Sequence, residues 1–114
     1  MRKVYFIDVD GTLLEHIEDF ERIHMYPTLP VLPDAREKTI KWHCEGHMII
    51  LTTARPESIR KLTEQQLNAA GIVYDLLIMG IGAGPRILIN DYTNYPKAFS
   101  YNVVRNVDGL KDIP

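Results

Sequence analysis

The stretch Lys3-Val4-Tyr5-Phe6-Ile7-Asp8-Val9-Asp10-Gly11-Thr12-Leu13-Leu14 decides how this chain reads. An apolar run ending on two carboxylates at i and i+2, followed by Gly and Thr, describes a short buried strand that delivers acids to a tight turn. In an open α/β sheet the C-terminal end of a strand is where ligands bind. On an extended strand residues i and i+2 share a side, and a turn starting at Val9 or Asp10 lets both carboxylates converge on one point. Two anions a few ångströms apart need a cation, a shared proton or open water between them. Mg2+ suits them, because it takes hard oxygen ligands and needs only one or two protein carboxylates beside substrate phosphate oxygens. With metal and phosphate in place, one carboxylate can attack phosphorus while the other protonates the leaving oxygen. A calcium loop does not fit, since Thr12 and Leu13 stand where its ligand and its glycine belong.

The rest of the chain reads outward from this strand. Between Glu15 and Pro33 mixed charge and prolines at 27, 30 and 33 allow no long helix, so this stretch is expected to lie over the site. His16 and His24 read as substrate contacts or, more commonly, as solvated loop histidines. Asp34 and Glu37 have the spacing of a capping box for a helix running to Gly46. Ile40 and Cys44 define its inner face and place Trp42 outward. His47 to Pro56 is a second strand and its exit turn. Its hydroxyls, Thr52 and Thr53, stand with free N–H groups at a helix N-terminus and suit a phosphate. A helix over 56–70 with one buried stripe, a third strand over 76–79, a glycine-rich loop, a fourth strand over 86–91 and an edge strand over 98–104 follow. Residues 105–114 read as a polar tail.

The D-x-D-G-T-L pattern resembles the first signature of the haloacid dehalogenase superfamily, most of whose members are phosphohydrolases. The resemblance implies that Asp8 is the nucleophile and Asp10 the general acid and base, with the Asp10 carbonyl contributing to Mg2+. Thr53, next to Ala54-Arg55, matches the hydroxyl of the second signature, with Thr52 the alternative at a one-residue register shift. Asn90-Asp91 stands in the place of the acidic signature, so Asp91 would support the metal and Asn90 would offer a neutral carbonyl. The superfamily also uses a Lys or Arg to hold nucleophile and phosphate together. Arg55 is the expected cation and Lys97 the second choice, because on an extended strand Arg86 would start about 16 Å from Asp91.

The 114 residues make one domain with a net charge of -2, which gives no support for a nucleic-acid or membrane partner. The apolar run near Met1 is too short for a signal-peptide core, and the single Cys44 excludes an intrachain disulfide, so a cytoplasmic protein is expected. Cys44 itself reads as a small core residue. The expected architecture is a three-layer α/β/α, Rossmann-like, mostly parallel sheet with helices on both faces. It is a single domain over 1–114 without a cap, its 15–33 region forming the flap. Resemblance to capless members implies a site covered by a neighbouring subunit, hence a homo-oligomer, or by a large substrate. The leading expectation is a Mg2+-dependent phosphohydrolase of a small phosphorylated metabolite, a sugar phosphate or nucleotide, working through an aspartyl-phosphate. The alternative, motivated by Asn90 and the missing Lys, is a phosphate-ligand or protein-binding module with little turnover.

Overall fold

A computed structural model describes residues 1–114, and in it the apolar run before Asp8 forms β1, Val4–Asp8. Parallel to it runs β2, Met48–Thr52, with Val4 opposite Met48 and Asp8 opposite Thr52. The short β3, Leu76–Ile78, continues the sheet on the far side of β2, with Thr52 opposite Ile78. The strand order is β1-β2-β3. Because every pairing is parallel, the C-terminal ends of all three strands lie on one edge of the sheet.

Parallel neighbours need crossovers, and helices supply them. The first, α1, spans Ala35–Cys44; the second, α2, spans Arg60–Ala69 and follows a 3-10 turn over Glu57–Ile59. Residues two apart along a strand share a face, so Tyr5 and Ile7 sit with Ile49, Leu51 and Leu77 on one side of the sheet. Trp42 of α1 and Leu67 of α2 belong to the same core cluster. On the opposite side Val4, Phe6, Leu76 and Ile78 remain exposed. The α/β class is as expected, while helices cover one face of the sheet and not both.

Several local expectations give way to tertiary contacts. Trp42 is buried, stacked on Tyr5 with ring centroids 3.9 Å apart, whereas Ile40 and Cys44 face solvent. The buried stripe of α1 is Ala35, Thr39 and Trp42. A threonine can sit in it because its hydroxyl donates to the Ala35 carbonyl at 2.9 Å. Asp34 makes no side-chain cap. It adopts a left-handed conformation, φ 58°, which Asp tolerates better than most residues.

The C-terminal third departs furthest from its sequence pattern. Residues 86–91 and 98–104 form no strand. No main-chain N–H from 82 to 103 donates a hydrogen bond within the chain, and Ile87 and Ile89 stand exposed. An apolar run becomes a strand only where a sheet edge accepts it, and here the outer edge of β1 stays unpaired. Residues 104–113, in contrast, are docked and not a tail. Leu110 is buried, its N–H donates to the Pro33 carbonyl at 2.8 Å, and the Lys38 ammonium donates to the carbonyls of Leu110, Lys111 and Ile113.

Candidate active site

The turn after β1 is built on one carbonyl. The N–H groups of Thr12, Leu13 and Leu14 all donate to the Val9 oxygen, at 3.4, 3.0 and 3.1 Å, while Leu13 and Leu14 are fully buried beneath. The chain turns back at Gly11, whose φ of 88° is one that glycine adopts without strain. The Asp10 carbonyl is thereby left without a main-chain donor. Leaving the turn, the chain returns to it: the Leu32 N–H donates to Leu13 and the Glu15 N–H to Pro30.

The two acids receive different surroundings. Asp10 is gripped by Arg55, with Nη2 donating to Oδ1 at 2.7 Å and Nε to Oδ1 and Oδ2 at 3.1 and 3.2 Å. The Thr53 hydroxyl donates to Oδ2 of the same carboxylate at 3.0 Å. Arg55 is only 2% exposed, and its remaining Nη1 donates to Gln66 Oε1 at 2.6 Å and Thr63 Oγ1 at 3.1 Å. A buried guanidinium is tolerable only when its donors are satisfied, and here α2 supplies the acceptors from its buried stripe. Gln66 is held in turn, its Nε2 donating to the Tyr26 carbonyl at 2.6 Å.

Asp8 faces solvent and has a single side-chain contact, a long hydrogen bond of 3.4 Å from the Thr12 hydroxyl. The protein packed around its carboxyl pushes its pKa above the usual carboxylate range, and the Asp10 charge pushes the same way. The charge of Arg86, the Thr12 hydrogen bond and the charge of Arg105 pull it back in part. An acid of this kind is poorly compensated until a cation or an electrophile arrives.

The sequence-derived site residues divide accordingly. Asp8, Asp10, Thr53 and Arg55 come together at the C-terminal edge of the sheet, and Thr52 lies opposite Asp8 in the strand register. The sequence places Arg55 against a phosphate, but it does not stand free there, because four of its five N–H donors are engaged by Asp10, Thr63 and Gln66. Asn90 and Asp91 lie elsewhere, lining a shallow pocket with Tyr92 and Lys97, whose ammonium is 3.8 Å from Asp91. No three His, Cys, Asp or Glu side chains gather as a metal cluster. Without a fourth strand beside β1, nothing carries Asp91 to the Asp8 tip. Without that strand the distance that set Arg86 apart no longer applies, and its charge lowers the Asp8 pKa. Sequence reasoning missed Thr63 and Gln66, although polar residues in a buried stripe are a readable signal, and it missed Arg105.

The chain is similar to several solved structures. A chain of a Pnkp1/Rnl/Hen1 complex superposes with a TM-score of 0.60 and 25% identity, over 75% of this chain and 30% of that one. A protein from Vibrio cholerae gives a TM-score of 0.54 at 18% identity, over 77% of this chain and 79% of that one. The D,D-heptose 1,7-bisphosphate phosphatase of B. bronchiseptica, solved with magnesium and phosphate, gives 0.52 at 16% identity, over 71% and 51%. No protein-family model and no curated protein matches the chain. The structural likenesses support a haloacid dehalogenase-like fold. No helix is long and apolar enough to cross a membrane.

Proposed function

We propose that this chain is a phosphohydrolase that moves a phosphoryl group from a small phosphorylated metabolite to Asp8 and then to water. The observation that carries the reading is the division of labour between two acids on one turn. Asp8 is open and poorly compensated, whereas Asp10 is fixed in direction by Arg55 and Thr53. The likeness to a bisphosphate phosphatase solved with magnesium and phosphate supports it.

In the first half-reaction an Asp8 carboxylate oxygen attacks phosphorus, the ester P–O bond breaks, and the departing oxygen takes a proton relayed from solvent through Asp10, which returns to its pairing with Arg55. In the second, Asp10 takes a proton from water as its oxygen attacks the aspartyl-phosphate, releasing phosphate and restoring the Asp8 carboxylate. Arg55 and Thr53 keep the Asp10 oxygens aimed at the proton's path throughout. Positioning of this kind is where most of the gain in phosphoryl transfer arises.

The donors present fit Mg2+ in a substrate-assisted form. The Asp8 carboxylate and the Asp10 carbonyl, both lacking strong partners, would hold it, with substrate oxygens and water completing the shell. Bound there, the metal supplies positive charge that screens the Asp8 carboxylate from the incoming phosphate. Release of inorganic phosphate from an aryl phosphate, sugar phosphates and nucleotides, with and without Mg2+, tests the reading. Asp8→Asn is expected to abolish release, and turnover retained in that variant would remove the mechanism.

The absence of a third acid beside Asp8 favours a second reading, a phosphate-ligand or protein-binding module with little turnover. Phosphate binding without release from any of these substrates would select it.

A further inference from the structure

Charge at the site does not balance when a phosphate arrives. Arg55 offsets Asp10, and a divalent ion at Asp8 would still leave net negative charge between Asp8 and a dianionic substrate. Two other guanidiniums send their charge to Asp8, Arg86 and Arg105. Arg86 is committed, its Nη1 donating to the carbonyls of Gly82 at 2.5 Å and Gly84 at 2.6 Å. Arg105 is not: its exposed side chain makes neither a hydrogen bond nor an ion pair within the chain, and its stem is placed against Gly11.

That position comes from the docked C-terminal turn. The Asn106 N–H donates to the Gly11 carbonyl at 3.0 Å, and the Asn106 side chain brackets His16, accepting from its N–H at 2.7 Å and donating to its carbonyl at 3.3 Å. The Arg105 stem then lies on the bare face of Gly11, its Cγ 2.9 Å and its Nε 3.6 Å from where a Cβ at residue 11 would be. The glycine of the catalytic turn is thus a saddle for an arginine from the other end of the chain. An exposed arginine whose stem rests on the residue next to Asp10, and whose guanidinium has no partner within the chain, has the form of a recognition element for an anion.

We propose that Arg105 is a specificity-determining residue that contacts an anionic oxygen of the substrate at the Asp8–Gly11 turn. The anion is either the phosphoryl group being transferred or a second phosphate on the same molecule. This rests on the phosphohydrolase reading for its biological role, but its test does not.

Affinity for inorganic phosphate is measured by calorimetry on the full chain for wild type, Arg105→Met, Arg105→Gln and Arg105→Lys, beside KM and kcat for an aryl phosphate and a hexose bisphosphate. Met and Gln keep a stem on Gly11 and remove the charge. They are expected to retain the wild-type melting temperature and to weaken phosphate, or the bisphosphate, about tenfold to a hundredfold, the size of a charge-assisted hydrogen bond, with Lys falling between. Loss on both substrates assigns Arg105 to the transferring group, and loss on the bisphosphate alone, through KM, assigns it to the second phosphate. Phosphate and both substrates handled by Met and Gln as by wild type overturn the proposal and leave the hydrolase reading standing. Weakened phosphate binding in a chain that hydrolyses nothing upholds Arg105 and removes the hydrolase reading. Should Met melt early, Gln decides by the same criteria. If both neutral variants melt early and Lys restores melting while binding phosphate as they do, the role is structural and the proposal fails.

Discussion

Replacing Arg55 by Met tests whether a buried cation holds the acid of this site. The side chain of Arg55 is 1% exposed and that of Asp10 20%, so their pairing is largely shielded from water. Methionine keeps much of the stem volume and removes all the donors. Three acceptors lose a partner: Asp10, Gln66 Oε1 and Thr63 Oγ1. Thr63 is affected least, because its hydroxyl still donates to the Ile59 carbonyl at 2.9 Å. An unpaired Gln66 oxygen costs about 1–3 kcal/mol. Asp10 is one-fifth exposed and keeps the Thr53 hydroxyl, so its loss falls below the range of about 3–5 kcal/mol for fully buried broken pairs, at about 2 kcal/mol, and the total comes to about 3–5 kcal/mol. For a chain of this length each kcal/mol moves the melting temperature by roughly 4 °C, so a drop of about 12–20 °C is expected. Urea denaturation at neutral pH measures it directly. The double variant Arg55→Met, Asp10→Asn is expected to recover about 1–3 kcal/mol of the summed single losses, since the uncompensated carboxylate is gone. A loss under about 1 kcal/mol for Arg55→Met, or strictly additive single variants, would refute the argument.

Three further outcomes follow from the geometry. Asp8 has its pKa raised on folding, so the folded state holds its proton more tightly than the unfolded one, and its ionisation costs stability as pH rises from the ordinary carboxylate range through the folded-state pKa. Asp8→Asn is therefore expected to be more stable than wild type at neutral pH, with the difference vanishing in acid below the unfolded-state pKa; urea melts across pH measure it, and a variant less stable at pH 7 contradicts the assignment. Gly11→Ala forces an L-residue to φ 88° and places a methyl against the Arg105 stem, so a loss of about 1–2 kcal/mol is expected from the backbone alone, read by urea melts, and a neutral outcome would show that the turn relaxes. Trp42→Ala removes the ring stacked on Tyr5 from the core and is expected to cost about 3–5 kcal/mol by the same method, whereas Ile40→Ala on the exposed side of the same helix changes little.

What the sequence determined by itself is the local frame. Val4 to Asp8, the apolar run to Thr52, the stripe of α2 and the glycine after each helix are short-range patterns, and a parallel α/β sheet with acids at a strand tip follows from them. Tertiary structure decided everything that depends on which surfaces meet. Trp42 turned inward because Tyr5 offers a ring to stack on and Thr39 can satisfy its own hydroxyl on the helix, facts that periodicity does not weigh. Arg55 became the partner of Asp10 because Thr63 and Gln66, one helix away, complete its donor set. Residues 86–91 carry a strand pattern without a strand, since pairing belongs to two segments and the pattern belongs to one. Arg105 reaches the first turn across most of the chain's length through Asn106 and Gly11, a contact that no local rule encodes.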